Sequence, residues 1–168
     1  MKSKKNTFVS RAAVGCVTTA IFLLLCIIKG IYPFGTATLD TVDFQSQWIP
    51  AYYHVWDVLH GDGSAFFDWR VGGGNNFAGV SAQFSLFSPF NLFFLFVKRS
   101  WIEKSMIVFL LIKLLAMGYG MGWFLKEQIL KEERYGIYIL AGSVGYAVNG
   151  YTLLYYGMGW LDVAAILP

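Results

Sequence analysis

Two aspartates stand just after the first long apolar segment of the chain, Asp40 and Asp43, and Gln45 and Gln47 follow them closely. An aspartate that is partly shielded from water at a membrane surface has a raised pKa, which suits a general base that takes a proton from an acceptor hydroxyl. The glutamines are able to hold that hydroxyl in place. The alternative is that Asp43, or Asp40, only caps the start of a helix.

A lysine inside an otherwise apolar segment is the second candidate. Lys113 is the one charged residue between positions 106 and 125, and an ammonium within a membrane span is costly enough to be a functional candidate by default. At ~1.5 Å per helical residue it lies roughly 10 Å below the outer end of the segment. There it would meet a lipid phosphate or the carboxylates above it. Snorkelling of its long side chain to the headgroups is the alternative.

Two further patterns point to chemistry less strongly. His54 and Asp57 would share a helix face and could bind a metal, but no third ligand is evident, so we interpret both as solvated surface residues. Three consecutive glycines, 72–74, invite comparison with a phosphate-binding loop, yet no Lys-Ser/Thr pair follows and a turn is the better interpretation. The sequence indicates no cofactor and leaves a metal requirement open.

The composition is typical of a membrane protein. The chain is 57% hydrophobic and 14% charged, whereas soluble domains carry about a quarter charged residues. Its net charge of +3 is too small to indicate nucleic acid as a partner. Basic residues at positions 2, 4, 5 and 11 precede the first apolar segment, and such a cluster indicates a cytoplasmic N-terminus.

The apolar segments predict an all-α integral membrane protein with three to four transmembrane helices. In order, we expect a basic cytoplasmic N-terminus (1–11), a first span (12–31), a long extracytoplasmic loop (32–105), a second span (106–125), a cytoplasmic loop (126–134), a third span (135–151), and an outer loop that leads into a fourth span (152–168). The last apolar segment is still running at Pro168, so we expect the chain to be the N-terminal part of a longer protein.

The long outer loop is expected to contain two juxtamembrane, interfacial helices, at about 50–60 and 84–97. Pro50 suits the start of the first helix and Gly61 suits its C-terminal stop. The second is too short to span a bilayer and contains a Ser-Pro step. If it crossed nonetheless, the cytoplasm would hold the basic cluster that follows it, Lys98, Arg99 and Lys104.

Several short motifs occur in order from about Ile31 to the last residue. They are Tyr32-Pro33-Phe34-Gly35, Asp43…Gln47…Pro50, Trp69 ahead of Gly73-Gly74-Asn75, Ser88-Pro89-Phe90-Asn91, Lys113, and Trp160-Leu161-Asp162 leading to Leu167-Pro168. As an ordered set they resemble the beginning of the YfhO family of bacterial multi-pass membrane proteins. That family is similar to the GT-C glycosyltransferases, whose active site faces the outside of the membrane.

The resemblance implies a GT-C-like multi-pass fold in the bacterial cell membrane. It implies transfer of a sugar from a polyprenyl-phosphate carrier to a cell-envelope polymer such as teichoic acid, with membrane lipids as further partners and no nucleic acid. The catalytic role falls to Asp43, with Asp40 second, and substrate-binding roles fall to Gln47, Lys113 and Asp162. Because members of the family are several times longer, we expect this chain alone to be inactive as an enzyme.

Two other functions stay open. One is a lipid or ion transporter or flippase subunit, in which Asp43 and Lys113 line the pathway. The other is an inactive membrane remnant. In a full-length homologue, Asp43→Asn separates the glycosyltransferase from the transporter, because an enzyme that still inserts would lose sugar transfer, whereas a transporter would lose lipid or ion movement.

Overall fold

The computed structural model describes residues 3–37, 39, 43–80, 88–129, 136–155 and 161–166, except for the side chains of 3–10, 78, 80, 161, 163 and 166. These residues are mostly helical, and their α-helices are α1 (Ser3–Ile28), α2 (Ile49–Leu59), α3 (Phe77–Val80), α4 (Ile102–Phe124), α5 (Gly136–Ala147), α6 (Gly150–Tyr155) and α7 (Leu161–Ile166). An antiparallel hairpin pairs β1 (Phe67–Asp68) with β2 (Asn75–Asn76). Short helical segments of other pitch complete the fold: π-helical Phe44–Trp48 and Leu125–Ile129, and 3₁₀-helical Pro89–Phe96 and Arg99–Trp101.

Three helical stretches of the described chain are long and apolar enough to cross a membrane: Arg11–Ile28, Arg99–Ile129 and Gly136–Tyr155. They agree with the all-α membrane class that the sequence predicts. The third stretch is interrupted between α5 and α6, where Asn149 Oδ1 accepts a hydrogen bond of 2.9 Å from the Thr152 backbone N–H. This side chain caps α6. The stretch then continues to Tyr155, past the predicted end at residue 151.

Helix α4 is central, because α1, α5 and α7 all pack against it. Gly118 lies where α1 and α5 approach α4 closely. A Cβ at this position would lie 3.2 Å from Val14 Cγ1 in α1 and 3.6 Å from Ala147 Cβ in α5. Small residues of this kind let membrane helices come close enough for extensive van der Waals contact.

Helix α2 is docked onto α4 and the 3₁₀ helix Pro89–Phe96 through an aromatic cluster. The buried Tyr52 ring lies 5.3 Å, between centroids, from both Phe94 and Phe109, and those two rings are 5.0 Å apart. Each such aromatic pair adds about 0.5–1.5 kcal/mol beyond the area it buries. Trp56 makes a second attachment, because its Nε1 donates a hydrogen bond of 2.7 Å to Val97 O.

The ends of α2 follow from local sequence. Pro50 lies in the first turn of α2, where its fixed φ is already suited to a helix. Gly61 has φ +82°, a conformation that glycine adopts without strain. The N–H of Asp62 donates to Asp57 O at 2.8 Å and closes the last turn. The helix Ile49–Leu59 therefore lies where the sequence predicts one at about 50–60.

The second predicted interfacial helix, 84–97, is described from residue 88 onward. Pro89–Phe96 form a 3₁₀ helix of 8 residues, and at ~2 Å per residue such a helix is about 16 Å long, half the thickness of a bilayer core. Ser88 Oγ accepts the backbone N–H of Phe90 at 3.2 Å and caps its start. Residues 84–87 lie outside the described part of the chain.

Candidate functional site

Asp43 stands immediately before the π-helical turn Phe44–Trp48, in its N-cap position. Its backbone oxygen accepts the Gln47 N–H at 2.9 Å, but its carboxylate makes no capping hydrogen bond to the described residues. The side chain is exposed. The carboxylate is therefore available for a role other than capping. Asp40, the second candidate, lies outside the described residues.

A groove of about 720 Å³ lies beside α2, and we call it the polar groove. Most of its lining side chains carry polar or charged groups, among them Gln45, Gln47, Tyr53, Asp57, Arg70 and Arg99. Its volume is in the range of known small-molecule sites, roughly 300–1,000 Å³. The predicted substrate-binding residue Gln47 therefore lines a groove that is large enough to hold a sugar.

Two arginines and two aspartates form a network along the polar groove. Arg99 Nε donates to Asp57 Oδ1 at 2.7 Å, and Arg99 Nη2 donates to Asp57 Oδ2 at 3.2 Å. Arg70 Nη2 donates to Asp68 Oδ2 at 2.7 Å, while Arg70 Nη1 lies 3.5 Å from Asp57 Oδ2. The carboxylates are largely buried, whereas both guanidinium groups are half exposed.

These contacts favour the ionised carboxylates. Hydrogen bonding from Arg99 lowers the pKa of Asp57, and the charges of Arg99 and Arg70 act in the same direction. Hydrogen bonding from Arg70 lowers the pKa of Asp68 well below its usual value. Both aspartates therefore stay charged at neutral pH and serve as anchors for the arginines rather than as proton acceptors.

The interpretation of His54 and Asp57 as solvated surface residues is wrong, because they are only 7% and 6% exposed. His54 Nε2 lies 3.1 Å from Ser64 O, and the His54 ring packs edge-on against Phe77 with centroids 4.0 Å apart. The groups that cover this face of α2 come from later in the chain, so the helical pattern alone does not reveal them. The described residues contain no group of three metal-binding side chains.

The β1–β2 hairpin holds Arg70 in position, and the glycine triplet forms its turn. Gly72, Gly73 and Gly74 have φ values of +56°, +78° and +107°, all of which favour glycine. The Trp69 ring lies directly over Gly74, where a Cβ would come within 2.6 Å of Trp69 Cε3. The triplet is thus a turn, as the sequence indicates.

A second groove, of about 430 Å³, lies between the 31–37 loop and the start of α4, and we call it the apolar groove. Its walls are mainly apolar and include Ile31, Ala37, Leu39, Phe44, Met106 and Ile107. The loop turns sharply because Gly30 has φ +61° and its carbonyl accepts the Ala37 N–H at 2.9 Å. Position 35 requires glycine, since a Cβ there would collide with the Gly30 carbonyl.

The two grooves share a wall. Gln45, Ile49 and Glu103 line both of them, and Gln45 follows Asp43 by two positions. Glu103 is oriented by Tyr53, whose hydroxyl lies 3.3 Å from Glu103 Oε1. A polar groove that adjoins an apolar one suits an amphipathic molecule with a polar head and a hydrocarbon tail.

Lys113 and Asp162, both predicted to bind substrate, contact each other. Lys113 Nζ lies 2.6 Å from Asp162 Oδ1, and both side chains are buried. Neither residue lines the polar or the apolar groove. The ammonium lies 6.0 Å from the centroid of the Tyr52 ring of α2. The charge of Lys113 is therefore balanced by Asp162 inside the protein, and its side chain does not snorkel to the headgroups.

Sequence reasoning missed Arg70 and Arg99 as site residues and treated Arg99 only as a marker of topology. A signal was present for Arg70, because it is the one lysine or arginine between positions 30 and 97. The aspartates between these positions therefore have one possible basic partner within the same segment. A comparable signal pointed to the partner of Lys113, since Asp162 is the one carboxylate side chain after Glu133.

Among known proteins, the family described as "Bacterial membrane protein YfhO" matches residues 15–168. The matched part includes both grooves and the Lys113–Asp162 pair. No curated protein matches the chain. No solved structure matches it either.

Proposed function

The chain belongs to the YfhO family of bacterial membrane proteins, and from this premise we propose that it carries the outward-facing site of a GT-C-type glycosyltransferase. The reaction transfers a sugar from a polyprenyl-phosphate carrier to a hydroxyl of a cell-envelope polymer such as teichoic acid. Nucleotide sugars are not available outside a bacterial membrane, so an outward-facing transferase requires a lipid-linked donor.

The observation that carries this proposal is the shared wall between the polar and apolar grooves. A polyprenyl-phosphate sugar is amphipathic, so its isoprenoid chain fits the apolar groove and its sugar fits the polar one. Gln45, Ile49 and Glu103 form the common wall, which is where the bond between sugar and phosphate would lie. The acceptor hydroxyl then approaches through the polar groove, beside Gln47.

Asp43 is the proposed general base. Asp43 lines neither groove, but it stands two positions before Gln45 of the shared wall, its side chain is exposed, and its carboxylate makes no capping bond within the described chain. It accepts the proton of the acceptor hydroxyl as the acceptor oxygen forms a bond to the anomeric carbon of the sugar. The bond from that carbon to the phosphate oxygen breaks, and the lipid phosphate leaves with the bonding electrons. Gln47 orients the acceptor, and Asp40 is the second candidate for the base.

For Lys113 and Asp162 we propose a positioning role rather than direct contact with the donor. The pair connects α7 to α4 beside the Tyr52 ring of α2. Lys113 Nζ also lies 4.4 Å from the centroid of the Phe109 ring, which belongs to the aromatic cluster that docks α2. The pair thereby supports the helix that forms one side of the polar groove.

We place the N-terminus in the cytoplasm and both grooves outside, in a multi-pass arrangement. The basic N-terminus supports this orientation. Geometry supports a common side for α2 and the start of α4. Phe77 packs on His54 of α2, and Val97 O accepts a hydrogen bond from Trp56 of α2. The chain that runs from Phe77 to Val97 therefore begins and ends beside α2. Arg99 then lies outside together with its partner on α2.

The proposal is tested by an Asp43→Asn allele in the source bacterium. We expect loss of the sugar from the envelope polymer, measured by mass spectrometry of purified teichoic acid, while the protein remains in the membrane at its normal level. Asp62→Asn is the matched control, because both aspartates are exposed and line neither groove, but Asp43 stands two positions before Gln45 of the shared wall whereas Asp62 follows the far end of α2. Full modification in the Asp43→Asn strain contradicts the assignment of the base.

Lipid or ion transport is the second candidate function. The observation in its favour is the buried Lys113–Asp162 pair, because ionisable residues within spans often mark ion pathways. If the Asp43→Asn strain keeps its modified polymer, and vesicles that contain the variant lose lipid or ion movement, the transport function replaces the enzymatic one.

A further inference from the structure

We propose that Lys104 binds the phosphate of an isoprenoid phosphate lipid whose hydrocarbon chain occupies the apolar groove. This inference rests on the proposed function, since it assigns a cation to the donor and to the carrier that is left after transfer. We predicted that role for Lys113, but Lys113 pairs with Asp162 and lines neither groove.

The cations near the grooves differ in whether they already have a partner. Arg99 contacts Asp57 and Arg70 contacts Asp68, each at 2.7 Å. Lys104 lines the apolar groove and is exposed, and within the described residues it has no carboxylate within ion-pair distance. A phosphate bound here gains a new charge-assisted contact without breaking an existing ion pair.

The surroundings of Lys104 hold its ammonium at the edge of the groove. Its Nζ lies 5.7 Å from the centroid of the Tyr32 ring and 5.3 Å from that of the Trp101 ring. Both distances are within the range of cation–π attraction, which ends at about 6 Å. Two aromatic faces restrict the side chain but leave the N–H donors able to reach an anion.

The position of Lys104 in its helix also favours an anion. It lies in the first turn of α4, a helix of 23 residues, where the helix dipole presents its positive end. A lysine here adds to that positive potential, and an anionic ligand relieves it. Its neighbour Glu103 also lines the apolar groove, and its Oε1 accepts a hydrogen bond of 3.3 Å from the Tyr53 hydroxyl on α2, so this carboxylate is held towards α2.

The apolar groove holds the hydrocarbon part of the lipid. The groove has a volume of about 430 Å³ and is lined mainly by aliphatic and aromatic side chains of the 31–37 loop, the π-helical turn and α4. This space accommodates the isoprene units nearest the phosphate, while the rest of the chain stays in the bilayer. Lys104 thus distinguishes a phosphorylated isoprenoid from a neutral one, and the groove distinguishes it from free phosphate.

The test is lipid binding by this chain in phosphatidylcholine nanodiscs, measured by native mass spectrometry. Four probes are compared: undecaprenyl phosphate, undecaprenol, dioleoyl phosphatidylglycerol and inorganic phosphate. We expect undecaprenyl phosphate to bind the most tightly, and Lys104→Ala to weaken its binding about tenfold, as expected for one charge-assisted contact. Undecaprenol should bind the wild-type chain and Lys104→Ala equally, and Lys104→Arg should retain affinity for undecaprenyl phosphate.

Lys98→Ala is the matched control, because Lys98 is an exposed lysine near the same helix start that lines neither groove. Equal binding of undecaprenyl phosphate by Lys104→Ala and Lys98→Ala overturns the inference. Equal affinity for phosphatidylglycerol and undecaprenyl phosphate overturns the isoprenoid assignment, and equal affinity for inorganic phosphate overturns the role of the groove. Because Lys104 is exposed, the melting temperature of Lys104→Ala should equal that of the wild-type chain.

The outcomes separate this inference from the proposed function. Normal lipid binding by Lys104→Ala, together with loss of sugar transfer in the Asp43→Asn strain, rules out phosphate binding by Lys104 and retains the proposed glycosyltransferase. If lipid binding depends on Lys104 but sugar transfer is unchanged in that strain, the lipid site is retained and Asp43 is not the general base.

Discussion

Lys113 Nζ lies 2.6 Å from Asp162 Oδ1, and this contact ties α7 to α4 inside the bundle. A buried ion pair contributes little net stability, but removal of one partner leaves an uncompensated charge in a region of low dielectric constant. The pair therefore makes residues 161–166 dependent on α4 for their placement.

Single substitutions of this pair should destabilise the fold strongly. Lys113→Met or Asp162→Leu alone is expected to cost about 3–5 kcal/mol, because each leaves a buried charge without its partner. The double variant Lys113→Met/Asp162→Leu should recover most of that loss, since it removes both charges. Thermal unfolding in detergent micelles measures the effect. A double variant whose loss equals the sum of the two single losses would show that the residues act independently.

Acid should weaken the attachment of α2 to the 3₁₀ helix Arg99–Trp101 that precedes α4. Because Arg99 lowers the folded-state pKa of Asp57 below its ordinary value of 3.8, the unfolded chain binds more protons as the pH falls towards 4. The stabilisation is therefore fully present above about pH 4 and is lost as the pH falls through the folded pKa. Thermal unfolding between pH 6 and 3 should show this loss.

Removal of either member of the Asp57–Arg99 pair should reduce that acid dependence. Asp57→Asn and Arg99→Gln are each expected to lower stability at neutral pH by about 1–2 kcal/mol, since the hydrogen bonds involve a half-exposed arginine. Both variants should lose stability less steeply than the wild-type chain below pH 4. Wild-type steepness in both variants would mean that other groups control the acid response.

Two glycines of the membrane helices should respond oppositely to alanine. A Cβ at Gly122 of α4 would lie 2.8 Å from Ser143 Oγ of α5, and that hydroxyl is held by a 2.6 Å hydrogen bond to Ile139 O. Gly122→Ala should therefore destabilise by about 1–3 kcal/mol. Gly145 of α5 has no atom within 4 Å of an added Cβ, so Gly145→Ala should be neutral or stabilising by up to about 1 kcal/mol. Equal melting temperatures for the two variants would contradict this packing of α4 against α5.

The membrane class and the place of α2 could be predicted from the sequence because both depend on local patterns. Long apolar runs give the three membrane-length helices, and α2 has Pro50 in its first turn and ends shortly before Gly61. The extension of the third stretch to Tyr155 was not predicted, because the capping of α6 by Asn149 restarts the helix after a polar interruption.

The candidate site was less predictable because its contacts join distant parts of the chain. Asp57 and Arg99 are separated by 42 positions, and no periodicity within α2 indicates that an arginine from the 3₁₀ helix before α4 covers the Asp57 carboxylate. The groove residue Gln47 could be named in advance, since it lies in a short motif with Asp43. Burial of His54 could not be anticipated, because the loop that covers it begins only after α2 ends.

The most direct test of the proposed function is to measure which side of the membrane the polar groove faces. Native Cys16 and Cys26 are replaced by alanine, and single cysteines are introduced as Gln47→Cys, in the polar groove, and Gln128→Cys, after α4; both glutamines are exposed. Intact cells are treated with a membrane-impermeant maleimide. We predict that the Gln47→Cys chain is labelled from outside, whereas the Gln128→Cys chain is labelled only after the cells are broken. Labelling of Gln128→Cys but not Gln47→Cys in intact cells would place the groove in the cytoplasm and contradict the proposed function.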